Sequence, residues 1–203
     1  TLTQFYRIAA SPFTPSRILG GTQDNGTQQT YSALNWAAAY GGDGGEVCFN
    51  PISSNFILGE TQNGGIFRTT NGGTSWNSAT SGISTSENAA WVSPIIAHPT
   101  TDGTFYTARQ RVYRSTNNGG AWTAISANVN GTSAVREMAI SKTNPSILYA
   151  TTGSNIFLST DGGATFTNKT SGLPGRTITS VNIHPNDENI ALLTFSGFST
   201  NKV

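Results

Sequence analysis

The chain has 203 residues and a formal net charge of +1, and only 10% of its residues are charged, well below the soluble average of about 25%. Near-neutral charge with no basic run excludes a nucleic-acid binder that relies on phosphate neutralisation, and no stretch approaches the roughly 18 apolar residues of a membrane span. Cys48 is the only cysteine, which excludes an internal disulfide and a cysteine-based metal site.

Helical periodicity is nearly absent. Short apolar runs alternate with polar residues, as in Glu46-Val47-Cys48-Phe49, Phe56-Ile57-Leu58 and Ile66-Phe67-Arg68, and Gly, Asn and Pro clusters separate them. This is the period-two pattern of strands joined by tight turns. A strand, a Pro-containing turn and a second strand recur along the chain. The turns read as Ala10-Ser11-Pro12, Phe49-Asn50-Pro51, Ala97-His98-Pro99, Ile140-Ser141 to Pro145, and Ile183-His184-Pro185. Aligning the second strands makes Gly20, Gly59, Tyr106, Tyr149 and Leu192 equivalent, about 40 to 47 residues apart, and a repeat of about 40 to 45 residues with four strands is one β-propeller blade. The expected class is all-β: four-stranded antiparallel blades over residues 1–42, 43–88, 89–133, 134–175 and an incomplete 176–203.

A second shared motif follows in three of the repeats. It reads Arg68-Thr-Thr-Asn-Gly-Gly-Thr-Ser-Trp76, Arg114-Ser-Thr-Asn-Asn-Gly-Gly-Ala-Trp122 and Leu158-Ser-Thr-Asp-Gly-Gly-Ala-Thr-Phe166. These segments resemble the Asp-box, or BNR repeat, Ser-x-Asp-x-Gly-x-Thr-Trp. The chain is therefore similar to Asp-box β-propellers such as sialidases, xyloglucan-cleaving glycosidases, sortilin-type receptors and photosystem assembly factors. Gly21-Thr-Gln-Asp-Asn-Gly-Thr27, Gly41-Gly-Asp-Gly-Gly-Glu46 and Gln62-Asn-Gly-Gly-Ile-Phe-Arg68 resemble large exported bacterial propellers of the BNR glycosyl hydrolase-like type. That resemblance, with the uncharged Thr-, Asn- and Gly-rich composition, implies a secreted bacterial protein, extracellular or on the cell surface. The fold hosts enzymes, receptors and scaffolds alike. Within the turn, the carboxylate or amide should accept backbone N–H groups, and Trp76, Trp122 and Phe166 should pack between blades. Thr22-Gln-Asp-Asn-Gly-Thr27 is not a fourth copy, because Ile18–Gly26 aligns with Ile57–Gly65, which precedes its own motif. Asp24 thus belongs to the loop between a blade's second and third strands.

Antiparallel strands put the loops between second and third strands on the same face as the connections between blades. This face rings the central funnel, where propeller ligands gather. It should carry Asp24 and Asn25, then Tyr31, Trp36, Asp43 and Glu46, then Glu87, Asn88 and Trp91, then Arg136 and Glu137, and finally Arg176, with Arg7 opening the first blade. Asp24 and Asp43 are the candidate catalytic pair, since two carboxylates flanking a sugar can serve as acid and base. The alternative is that both only brace Gly-rich loops. Asn25, Trp36, Glu46, Trp91, Arg136 and Arg176 are the candidate ligand-binding residues, with the tryptophans as stacking surfaces. Asp24, Asn25 and Asp43 offer oxygens to Ca²⁺ but lack the dense Asp spacing of a loop that binds it alone, so no cofactor or metal is expected. Arg7, Arg136 and Arg176 compare with the three arginines of sialidases, but the tyrosine nucleophile and its glutamate partner cannot be placed. Ion pairs such as Arg136 with Glu87 are the plainer expectation. His98 and His184 read as turn residues, and Cys48 as a small buried hydrophobe.

An open arc would expose sheet edges. Three closures are available: a longer propeller containing this segment, a five-bladed ring completed by Thr1 to Gln4, or assembly with further copies. The reading that results is an exported propeller binding carbohydrate or protein through its funnel. A glycoside hydrolase using Asp24 and Asp43 is the first alternative, and a scaffold or filament subunit joined through blade edges is the second.

Overall fold

The computed structural model describes residues 3–32 and 35–197. The first sheet runs β1 (Phe5–Ala10), β2 (Ile18–Thr22), β3 (Gly26–Ser32) and β4 (Asn35–Tyr40), and the second runs β5 (Gly44–Phe49), β6 (Ile57–Thr61), β7 (Gly65–Thr69) and β8 (Asn77–Ser78). The third is β9 (Ile95–Ala97), β10 (Phe105–Ala108), β11 (Val112–Ser115) and β12 (Thr123–Ala124). The fourth is β13 (Glu137–Ile140), β14 (Leu148–Thr152), β15 (Asn155–Ser159) and β16 (Thr167–Asn168), and β17 (Ile178–His184) pairs with β18 (Asp187–Phe195) in a two-stranded fifth. All pairings are antiparallel between sequence neighbours. The first strands β1, β5, β9, β13 and β17 lie side by side in that order around the centre. This is the architecture of a β-propeller. The residues after Gly197, where a third strand of the fifth sheet was expected, lie outside the described residues, as do Thr1 and Leu2.

The register reproduces the repeat. Gly20 pairs with Ile8, Gly59 with Val47, Tyr106 with Ile96, Tyr149 with Ala139 and Leu192 with Asn182. Strands β2, β6, β10 and β14 are almost wholly buried rather than alternating, because each is covered on both faces. Four apolar clusters fill the gaps between consecutive sheets. Leu19, Val47, Phe49 and Ile57 join the first two, and Leu58, Ile66, Phe105, Tyr113 and Trp122 join the second and third. Val112, Val135, Met138, Leu148 and Phe157 join the third and fourth, and Ile156, Ile178 and Val181 join the fourth and fifth. Strand β18 packs on that last cluster through Leu193 and Phe195, while Leu192 on its other face is 56% exposed; Ile8, on the first sheet, is 65% exposed. Cys48 is only partly buried, and its surroundings push the thiol up to about 12 through desolvation, with the Glu46 charge adding to it.

Each repeated turn closes on two side chains rather than one. In the fourth sheet the Ser159 hydroxyl accepts the Gly163 N–H at 2.8 Å and donates to Asp161 Oδ1. Asp161 in turn accepts the Thr165 N–H at 2.9 Å and the Thr165 hydroxyl at 2.6 Å. These bonds, led by the Thr165 hydroxyl, hold the Asp161 carboxyl down at about 2. Ser115 and Asn117 repeat the pattern on Gly119 and Ala121, and Thr69 and Asn71 repeat it on Gly73 and Ser75. An amide oxygen accepts as a carboxylate does, so asparagine preserves the turn. The residue after the acid or amide takes a left-handed conformation: Gly72, Asn118 and Gly162, and Asn tolerates that region best after glycine. The aromatic residue that follows bridges blades. Trp122 is 3% exposed and donates its indole N–H to Ala79 O at 2.7 Å.

The opposite turns begin with a side-chain acceptor in each blade. Ser11, Asn50, His98, Ser141 and His184 accept backbone N–H groups two or three residues on. Both histidines are thus turn residues. Burial, and then Arg114, lower the affinity of His98 for a second proton.

Two substitutions test this scheme by urea unfolding. Trp122→Ala should cost about 3–5 kcal/mol, the usual loss for a buried aromatic. Ser115→Ala, which strands a buried amide, should cost about 1–3 kcal/mol.

Candidate functional site

Three innermost strands send charged side chains to the axis. Arg7 on β1 and Glu46 on β5 hold equivalent positions, one before Ile8 and Val47 in the register. Glu137 opens β13. The Arg7 guanidinium lies 3.4 Å from Glu46 through Nε and donates to Glu137 through Nη2. One cation is therefore shared by two carboxyls from blades far apart in sequence. Desolvation pushes Glu46 up to about 7 against the pull of Arg7, and the Glu137 charge adds to the rise. Burial likewise raises Glu137, opposed by Arg7 and Arg136. Both carboxyls therefore keep their protons to higher pH than an isolated glutamate does.

A cavity of about 290 Å³ opens beside the cluster, lined by Arg7, Trp91, Arg136, Glu137, Thr177 and Thr179 among others. Trp91 is 48% exposed. The funnel thus presents an indole surface, one guanidinium tied to carboxyls and a second, Arg136, on an exposed side chain. Such a set can hydrogen-bond hydroxyl groups and stack against an apolar sugar face.

The other expected residues fall elsewhere. Asp24, with φ at +59°, sits in the turn between β2 and β3, and its N–H donates to Asp43 Oδ1 at 2.6 Å. The two aspartates are brought together, with one Asp43 oxygen engaged in holding the neighbouring loop. Asp24 and Asn25 line an open depression of about 520 Å³ with Thr3, Gln4 and Gln23. Trp36 is not on a funnel loop. It belongs to β4, the outermost strand, where it pairs with Thr30 and lies 5.3 Å from the Phe5 ring. Tyr31 is on β3 and donates to Gly72 O in the next blade's turn. Arg176 turns toward Gly197, where an added Cβ would collide with its guanidinium. Glu87 does not pair with Arg136. Its partners are Arg111, whose Nε is 2.6 Å away, and the Tyr113 hydroxyl. Burial raises the Glu87 carboxyl, but these bonds outweigh it and leave it below the ordinary range. Among the described residues no group of three or more His, Cys, Asp or Glu is placed to hold a metal ion.

Two residues were missed. Glu137 was noted only beside Arg136, because its meeting with Arg7 joins residues 130 apart. Glu60 on β6 is fully buried, and desolvation pushes its carboxyl up to about 8. The signal for Glu60 was present: at its repeat position the other blades carry Gly21, Thr107, Ala150 and Leu193.

No family model matches the chain. It is 28% identical over 163 residues to a xyloglucanase of Hypocrea jecorina (strain QM6a), covering 67% of this chain and 19% of that protein. The chain therefore spans about a fifth of the length of this relative. Among solved structures, an ancestral GH74 enzyme superposes with a TM-score of 0.75 at 20% identity, over 91% of this chain and 28% of the enzyme. The GH74 xyloglucanase of Xanthomonas campestris gives 0.69 at 17% identity, over 92% and 34%. YCF48 of Cyanidioschyzon merolae gives 0.69 at 14% identity, over 95% and 64%. These structural likenesses establish the propeller fold.

The raised carboxyls predict how stability depends on pH. Glu46 and Glu60 bind protons more tightly in the folded chain, at about 7 and about 8, than in the unfolded one, where a glutamate titrates near ~4.3. Their contribution is complete below the unfolded value and is lost as pH rises through the folded values. The thermal midpoint should fall as pH rises from about 4.3 and level off near 8, and Glu60→Gln should remove the share of the fall that ends there, as followed by thermal unfolding across that range.

Proposed function

We propose that this chain is part of an exported Asp-box β-propeller that binds a carbohydrate through its funnel. The observation that carries this reading is the cavity in which half-exposed Trp91 stands beside Arg7, Arg136 and Glu137. Similarity to a xyloglucanase supports xyloglucan as the first ligand to try. The geometry of the three repeated turns supports the Asp-box assignment, because a hydroxyl and an acid or amide occupy the motif's positions and bind its backbone. The brevity of the match against its relative supports a ring completed by further blades of a longer chain, and the exposed apolar residues of the first and last sheets agree with it. The composition and the resemblance to exported propellers support secretion.

Calorimetry with xyloglucan oligosaccharides tests the site. Trp91→Ala should weaken binding by about tenfold or more, equivalent to about 1.4 kcal/mol, and Arg136→Ala should weaken it as well. Unchanged affinity in both variants would reject the funnel as the site. Binding of an extended peptide in place of the sugar would favour the protein-ligand form of the reading, since one of the similar structures is YCF48 bound to D1 peptide.

Hydrolysis is the second reading, favoured by the contact that brings Asp24 and Asp43 onto adjoining loops. Because Asp43 already holds the Asp24 backbone, Asp24 is the better test. Reducing-sugar release that disappears in Asp24→Asn would make the protein an enzyme, whereas unchanged release would return both aspartates to loop structure.

A further inference from the structure

Glu60 occupies a position where the fold needs no carboxyl. It lies inside the sandwich on β6, 0% exposed, where the sister blades place Gly21, Thr107, Ala150 and Leu193. Its Oε1 accepts two backbone N–H groups from different segments. One is that of Gly64, at 3.0 Å, in the short 3-10 turn Gln62–Gly64. The other is that of Ser93, at 3.2 Å, in the long connection of residues 79–94. Between these anchors the Asn63 N–H donates to Trp91 O at 3.1 Å, and the Ser93 hydroxyl donates to Ala90 O. Trp91 therefore sits in a segment whose backbone is tied to one buried side chain. The second oxygen, Oε2, is buried with no hydrogen-bond partner. It rests on Gly45, where an added Cβ would lie 1.6 Å from it, so the glycine makes room for the carboxyl.

We propose that Glu60 is a positioning residue for the Trp91 platform: a buried carboxyl pin that clips the 62–64 turn to the 79–94 connection while protonated and releases it on ionising. Protonated, the group keeps both backbone bonds and buries no charge. Ionised, it accepts those backbone bonds more strongly, but they only partly offset the cost of burying a charge in a site closed to water. Movement of the two loops apart is the route by which water can reach it. The charged and titratable groups facing it are few. Glu46 across on β5 acts both ways, its backbone N–H favouring ionisation and its charge opposing it, the Tyr40 hydroxyl lies nearby, and Arg109 lies beyond Gly64, donating to the Asn63 and Gly64 carbonyls. Burial pushes the Glu60 carboxyl up to about 8, which sets the release in mildly alkaline solution. The pin itself needs no ligand. Its effect on affinity rests on reading Trp91 as the ligand platform.

The test separates the two. Without ligand, the quenching of Trp91 by acrylamide is obtained as the difference between the chain and its Trp91→Phe variant, from pH 6 to 9.5. Because Trp91 is already 48% exposed, accessibility should rise by up to about twofold, with a midpoint near 8. Glu60→Gln, which retains an acceptor oxygen and cannot ionise, should hold the low-pH value throughout, and Glu46→Gln should keep a transition. A Trp91 signal independent of pH overturns the proposal, as does a transition that persists in Glu60→Gln. Should Glu60→Gln fail to fold, carbon-13 NMR of the glutamate carboxyls in the unaltered chain decides: a buried carboxyl titrating in step with Trp91 supports the pin, and none outside the ordinary glutamate range overturns it. Xyloglucan oligosaccharide affinity is then compared at pH 6 and 9. If Trp91 loosens while no binding exists at either pH, the pin stands and the ligand reading fails.

Discussion

The described strands have at most nine residues, and each four-stranded blade reverses direction three times, so the structure depends on how its turns satisfy their backbone. A buried N–H without a partner costs as much as a lost hydrogen bond. The repeated turn answers this with two side chains working together. A hydroxyl at Thr69, Ser115 or Ser159 and an acceptor at Asn71, Asn117 or Asp161 bind successive amides. With the turn fixed, the next residue is aimed into the seam between blades, and Trp122 closes its seam with a hydrogen bond to Ala79. The same device organises the opposite face, where Ser11, Asn50, His98, Ser141 and His184 cap equivalent turns. Neighbouring turns are also tied together: Arg17 donates to Gly72 O at 2.6 Å, and Arg68 donates to the Asn117 and Asn118 carbonyls.

Rigid seams free the axis for chemistry. The innermost strands meet at the centre, so residues there need not contribute to an inter-blade core. In a chain this poor in charge, Arg7, Glu46 and Glu137 converge where few other charges are found. Both glutamates lie in a setting that resists ionisation, and the arginine compensates both only in part. The funnel is thereby polar, protonated above the usual carboxylate range, and bordered by one broad indole surface. Glu60 extends the same principle inward. A carboxyl kept from water ties together two of the loops that bound the funnel.

Much of the fold was legible because its signals are local. Alternation marks strands, and Gly and Asn mark left-handed turn positions, as at Asn118 and Gly162. The repeat also carried register: residues made equivalent by spacing alone, Gly20, Gly59, Tyr106, Tyr149 and Leu192, occupy matching places on β2, β6, β10, β14 and β18. The site was less legible. Asp24 was placed in its correct loop, but the bond from its backbone to Asp43 depends on how two loops approach. Trp36 and Tyr31 were expected on a funnel connection because the first blade lacks the repeated turn, and without that landmark its two outer strands were hard to separate from the connection that follows. Glu87 was paired with the wrong arginine because Arg111, 24 residues along in the turn between β10 and β11, was not considered.

The sequence by itself determined an all-β chain of blade-sized repeats, the positions of its turns and the side chains that close them. Each of these is decided within a few residues or by a spacing that recurs. Tertiary structure alone decided that Arg7 bridges Glu46 and Glu137 and that Trp91 borders the resulting cavity. Those contacts depend on the angle between successive sheets and on which strand reaches the axis, and no local pattern in the chain encodes either.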